Sequence, residues 1–122
     1  MPIIDIEIVV ADNEPLPSNL ATILADAMSK VFRTSTGQTW VRLRKIPLQD
    51  YAEDGGGPPQ DVRPVFVTIL KAMLPPVNEL KREMERLTQA IAQSCGRPVE
   101  NVHLFYEPEG KGRVAFGGRL VE

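Results

Sequence analysis

The sequence predicts an α/β domain built from two β-α-β repeats, which together make a four-stranded mixed sheet with both helices on one face. Three observations carry this prediction. A β-branched run opens each half of the chain, a segment with apolar residues at helical spacing follows each run, and a short alternating stretch closes each half. The order is also kept at nearly constant spacing: Pro64 follows Pro2 by 62 positions, and Val102 follows Val41 by 61. A chain of 122 residues buries one core, not two. It is therefore read as a single domain over 1–122, with repeat one at about 1–57 and repeat two at about 58–122.

The first strand is expected from Pro2 to Val10, where Ile3, Ile4, Ile6, Ile8, Val9 and Val10 are β-branched and Asp5 and Glu7 share one alternation. "DNEPLPS" interrupts it with two prolines and ends in Ser18, a residue type that caps helices. Leu20, Ile23, Leu24, Ala27, Met28 and Val31 then mark one face of a helix, which "RTSTGQ" stops. "TWVRLRKI" alternates as a strand, and "PLQDYAEDGGGPPQD" reads as a turn and connector. In the second half, "RPVFVTIL" is a strand beginning at Pro64. "LPPVNELKREMERLTQAIAQSCG" is a helix started by prolines, striped by Leu80, Met84, Leu87 and Ile91, and stopped at Gly96; "NVHLFYE" is the last strand. The charges of "KREMER" read as a solvated face with ion pairs inside the helix.

Two strands joined through a helix run parallel with a right-handed crossover, so each helix lands on the same side of the sheet. The chain has no third helix for the other side. A sheet this rich in Val, Ile and Leu is expected to bury that side between subunits.

Composition narrows the function classes. A net charge of -2 gives no basic field for nucleic acid. Cys95 is alone, so no disulfide closes within the chain, and a reducing, cytoplasmic compartment is expected. No run approaches the roughly 20 apolar residues of a membrane span, and the first residues lack the features of a signal peptide. There is no Cys/His cluster at metal spacing, no phosphate loop and no nucleotide fingerprint, so no cofactor is expected.

A proline next to the initiator methionine, two β-α-β repeats, and the closing "EGKGRVAFGGRLVE" together resemble the tautomerase superfamily over essentially the whole chain. The likeness is to the 4-oxalocrotonate tautomerases, with one β-α-β unit per subunit, and to the macrophage migration inhibitory factor group, with two. Its most specific piece is Pro2 combined with "KGRVAFGG", which is similar to the glycine-rich C-terminal hairpin of 4-oxalocrotonate tautomerase. The resemblance implies a homotrimer whose sheets wrap into a central barrel with the helices outside.

Chemistry follows from the proline. Once Met1 is removed, which a small second residue permits, the Pro2 nitrogen is a secondary amine held in a rigid ring. Burial and nearby cations lower its pKa, so that it can take a proton from one atom of a substrate and return it to another. Arg42 and Arg44 alternate with Leu43 and share a strand face with Trp40, an arrangement that suits a carboxylate; by itself it also reads as a solvated edge strand. His103 occupies in the second repeat the place of Arg42 in the first. The resemblance aligns it with the substrate-binding arginine that a neighbouring subunit contributes in 4-oxalocrotonate tautomerase. It likewise aligns Val114 with that enzyme's pocket phenylalanine; both are departures. Phe105 shares the face of His103 as a pocket wall or a core residue. Lys45, Tyr106 and Arg113 are rim candidates, and no arginine stands after the first strand, where Lys71 is the nearest cation in the second repeat.

The resulting expectation is a tautomerase acting on a small carboxylate substrate, a 2-oxo or unsaturated oxo acid, with Pro2 as base and Arg42, Arg44 and His103 as binding groups. Two alternatives stand beside it. In one, a protonated Pro2 assists hydration, dehalogenation or decarboxylation, with Asp50, Glu53 or Glu107 activating water. In the other, the chain is a non-enzymatic trimeric binding protein that retains Met1.

Overall fold

A computed structural model describes residues 1–122. The main elements are β1 (Ile3–Val10), α1 (Leu20–Phe32), β2 (Trp40–Pro47), β3 (Val65–Leu70), α2 (Val77–Cys95) and β4 (Val102–Tyr106). A small hairpin of β5 (Ala115–Phe116) and β6 (Arg119–Leu120) follows. The sheet order is β2-β1-β3-β4, with β1 parallel to β2, β3 parallel to β4, and β1 antiparallel to β3. The mixed four-stranded sheet with two helices thus forms as the repeats predict.

Alternation sorts the sheet into two faces. Ile4, Ile6 and Ile8 of β1 and Val65, Val67 and Ile69 of β3 are fully buried against Leu20, Leu24 and Met28 of α1 and Leu87 and Ile91 of α2. Each such side chain contributes about 1.5–3 kcal/mol relative to exposure. This pattern corrects the spacing of the repeats. Ile4 and Val65 are 61 positions apart, face the helices alike, and pair with Val41 and Val102, which are also 61 apart. Pro64 therefore corresponds to Ile3 rather than to Pro2. A shift of one residue would turn every side chain to the other face, so buried parity decides the register.

The helix ends show what local chemistry did. Asn19, not Ser18, precedes α1, and no side chain caps it; Arg33 closes the helix in a left-handed conformation with its N–H on Ser29 O. Gly96 closes α2 the same way, at φ 66, where a residue without Cβ fits best. Glu83 departs from the expected solvated face of α2. It turns inward, 3.0 Å from Lys71 Nζ, and accepts a hydrogen bond from the Tyr106 hydroxyl. Burial, then the Glu83 carboxylate, pushes the Tyr106 hydroxyl pKa far up. Cys95 is a packed thiol, and burial raises it to about 11.

The repeats are tied at the other end of the sheet by Glu14. Its carboxylate accepts from Ala11 N at 3.0 Å and Arg97 Nη1 at 2.9 Å, and Arg63 Nε lies 3.0 Å away, off the hydrogen-bonding direction. Arg97 also donates to the carbonyls of Val9 and Arg63. Burial acts to raise the Glu14 pKa, but these hydrogen bonds and the two guanidinium charges outweigh it and hold it below the ordinary value. A depressed carboxyl stabilises the fold above the unfolded value and stops doing so as pH falls through the folded one. Glu14→Gln is expected to cost about 1–2 kcal/mol at pH 7 in chemical denaturation, because the cluster is only partly buried. The gap between wild type and variant should close as pH falls below the ordinary carboxyl value of 4.5.

Candidate active site

The face away from the helices carries the chemistry-bearing side chains. Register places Arg42, Asp5, Thr68 and Phe105 in one row across β2, β1, β3 and β4, and Arg44, Glu7, Phe66 and His103 in the next. Asp5 and Arg42 are direct cross-strand partners. Arg42 Nε and Nη2 donate to the two carboxylate oxygens of Asp5 at 2.6 and 2.8 Å. This pairing raises the Arg42 pKa above its ordinary value. Arg44 lies 3.7 Å from Glu7 in a looser pair.

The segment after β4 folds back over the sheet. Gly110 N–H and Lys111 N–H donate to Lys71 O and Ala72 O at 2.8 and 3.1 Å, and Arg113 N–H and Val114 N–H turn back to Gly110 O. Beyond them, Gly117 and Gly118 both take positive φ, 58° and 85°, so that a two-residue turn joins β5 to β6 with a twist matching the strands. The Phe116 ring meets the Trp40 ring edge-on at 5.4 Å, reaching back to the first repeat.

Sheet and returning segment enclose a cavity of about 310 Å³. Its floor is Ile3, Asp5, Arg42, Thr68 and Leu70; its other wall is Glu107, Gly110, Arg113 and Val114. A smaller apolar hollow adjoins it and shares Leu70, Gly110 and Val114. Met1, Phe116 and Val121 also line this hollow. Pro2, between Met1 of the hollow and Ile3 of the cavity floor, is buried and lines neither; its carbonyl accepts from Trp40 N–H at 3.0 Å.

Of the residues singled out in the sequence, the fold brings Arg42 and Val114 to the cavity, whereas Pro2 joins a residue of its floor, Ile3, to one of the adjoining hollow, Met1. Arg44 stands one row away. His103 and Phe105 lie on β4, at the opposite edge from β2; three strand spacings, about 14 Å, separate the edges. His103 packs 5.6 Å from the Phe66 ring, which Tyr51 of the connector covers at 5.7 Å. Phe105 is 55% exposed. Lys71 is engaged with Glu83 and lies 5.0 Å over the Phe32 ring. Among the acids, Glu107 lines the cavity, whereas Glu53 accepts from Tyr51 in the connector. Asp5 had no assigned role in the sequence reading. Its alternation with Ile4 and Ile6 put it on the open face, but its partner follows only from the strand register.

No family model matches the chain, and no curated protein matches it in sequence. Solved structures match its fold over nearly its full length. A fused 4-OT in a symmetric trimer superposes with a TM-score of 0.75 at 18% identity, covering 98% of this chain and 94% of that one. Macrophage migration inhibitory factor from Oncomelania hupensis gives 0.73 at 20% identity, covering 100% and 83%. FG41 malonate semialdehyde decarboxylase, inhibited by 3-bromopropiolate, gives 0.69 at 16% identity, covering 94% and 88%. The chain shares the fold of these structures.

Gly110 is the tight point of the cavity wall. A Cβ there would stand 3.0 Å from Val114 Cγ2 and 3.4 Å from both Leu70 Cδ1 and Lys71 O. Gly110→Ala is expected to cost about 1–3 kcal/mol, measured by guanidinium denaturation, and to displace Val114 in a crystal structure of the variant.

Proposed function

We propose that the protein is a cofactor-independent tautomerase in which Pro2, made the amino terminus by removal of Met1, moves a proton within a small enol or 2-oxo acid. The observation that carries this reading is the position of Met1, in an apolar hollow that shares three wall residues with a cavity holding Arg42 and Arg113. Loss of Met1 vacates that space and leaves a secondary amine in place of the Met1–Pro2 amide. Apolar neighbours disfavour an ammonium there, which favours the neutral amine that a general base requires.

In the reaction, the Pro2 nitrogen takes the proton of the substrate enol hydroxyl and delivers a proton to the carbon at the far end of the unsaturated system. The C–O bond becomes a carbonyl, and the amine ends as it began. Arg113 binds the substrate carboxylate, Val114 and Leu70 exclude water, and the fixed ring of Pro2 aims its lone pair. The reading includes a homotrimer, in which β4 of one copy brings His103 and Phe105 to the cavity of the next. The exposure of Phe105 and of Trp40, 43% accessible, on the open face supports this, as does the trimeric 4-OT neighbour. Arg44, in the adjacent row, would act at the rim. The reading also puts the protein in the cytoplasm; no helix is long and apolar enough to cross a membrane.

One observation favours a second reading. Glu107 lines the cavity beside the two arginines, where a carboxylate can orient a water molecule for hydration or accompany decarboxylation by a Pro2 that stays protonated. The decarboxylase among the solved neighbours supports it.

The test is an ultraviolet assay of ketonisation of phenylenolpyruvate and 2-hydroxymuconate, with intact mass recorded for wild type and Pro2→Ala. Wild-type protein lacking Met1 is expected to accelerate proton transfer, and the folded variant to lose about 10²- to 10⁴-fold of that rate. Folded wild type that lacks Met1 and turns over neither enol would overturn the tautomerase reading and favour the hydratase or decarboxylase one.

A further inference from the structure

Four ionised side chains line the cavity, Asp5 and Glu107 against Arg42 and Arg113, and their charges cancel. They are not equally available. Both carboxylate oxygens of Asp5 receive the Nε and Nη2 protons of Arg42, which is the fork a substrate carboxylate would need. Asp5 lies directly opposite Arg42 on β1, so the pair follows from strand register and not from a chance rotamer. Arg113, by contrast, has no carboxylate within 4.0 Å and only a long 3.3 Å bond to Glu109 O. Glu107 has no ion-pair partner.

The cavity therefore offers one unengaged cation, one unengaged anion and a neutralised pair. A monocarboxylate satisfies Arg113 and leaves room for an uncharged donor, such as a hydroxyl, to face Glu107. A second carboxylate on the substrate would meet two carboxylates and no free guanidinium among the cavity's lining residues.

We infer that Asp5 determines substrate charge: by occupying Arg42 it makes the site select monocarboxylates over dicarboxylates. This rests on the tautomerase reading for its substrate chemistry, but the charge preference is measurable without turnover. Asp5 acts through Arg42 and needs no contact with the reacting atoms.

Two matched pairs of probes test it on the full-length protein lacking Met1. Crotonate and fumarate differ by a methyl against a carboxylate, and their binding is followed by NMR at the amides of Thr68 and Val114. 2-Hydroxypenta-2,4-dienoate and 2-hydroxymuconate differ by the distal carboxylate, and their ketonisation is followed by absorbance. Wild type is expected to favour the monocarboxylate of each pair at least tenfold. Asp5→Asn, which keeps the size of the side chain and removes its charge, should narrow that preference at least tenfold. The change should appear as a lower Kd for fumarate and a lower KM for the dicarboxylate enol, with the monocarboxylates shifted less than threefold. Asp5→Ala, checked for fold by circular dichroism, should behave in the same direction.

Wild type that favours the dicarboxylates, or an Asp5→Asn preference within twofold of wild type, overturns the inference. Absence of turnover with the binding preference intact overturns the tautomerase reading and leaves the role of Asp5 standing.

Discussion

The alternation of β1 is the constraint on which the rest of the molecule depends. With Ile4, Ile6 and Ile8 committed to the helices, the period of two sends Ile3, Asp5 and Glu7 to the opposite face with no freedom to choose otherwise. β1 is also central, pairing with β2 on one side and β3 on the other, so its parity fixes theirs. The burial that stabilises the core is thus the same event that lines up Asp5 with Arg42 and Glu7 with Arg44. Polar residues on that face are not tolerated leftovers; they are where the strand had to put them.

The two repeats share a plan but not a chemistry. On the first, β2 presents two arginines, each matched by a carboxylate of β1. On the second, β4 presents His103 and Phe105 beside Phe66 and Thr68, a face with few charges. The ends of the sheet differ as well. Arg97 and Glu14 bind the end of β1 to the start of β3, whereas Lys71, Glu83 and Tyr106 join α2 to the far end of β3 and β4. Both clusters keep half-buried charges paired, which offsets the cost of their partial desolvation. Neither reaches the cavity, so the ionic groups that hold the fold are separate from those that could act on a ligand.

Periodicity made the architecture readable from sequence. Each main strand lies within one or two residues of its apolar run, and α2 ends at Gly96 because only a left-handed residue closes it comfortably. What the sequence could not supply is whatever depends on partners distant along the chain. The repeat spacing was off by one between Pro2 and Pro64, since two prolines look alike until the buried face is known. Glu83 reads as a surface residue because its partners, Lys71 and Tyr106, belong to other elements. The cavity wall around Gly110 was not foreseen either, since nothing local marks a glycine that serves to let a valine approach.

The small hollow beside the cavity gathers Met1, Phe116 and Val121, so both ends of the chain meet at one doorway. For anyone handling this protein, that proximity is practical. A purification tag on either end would start beside this hollow, and one ahead of Met1 would keep the Pro2 nitrogen in its amide. The exposed turn from Asp54 to Gly56, which lines neither the cavity nor the hollow, is the better place for a label or an insertion.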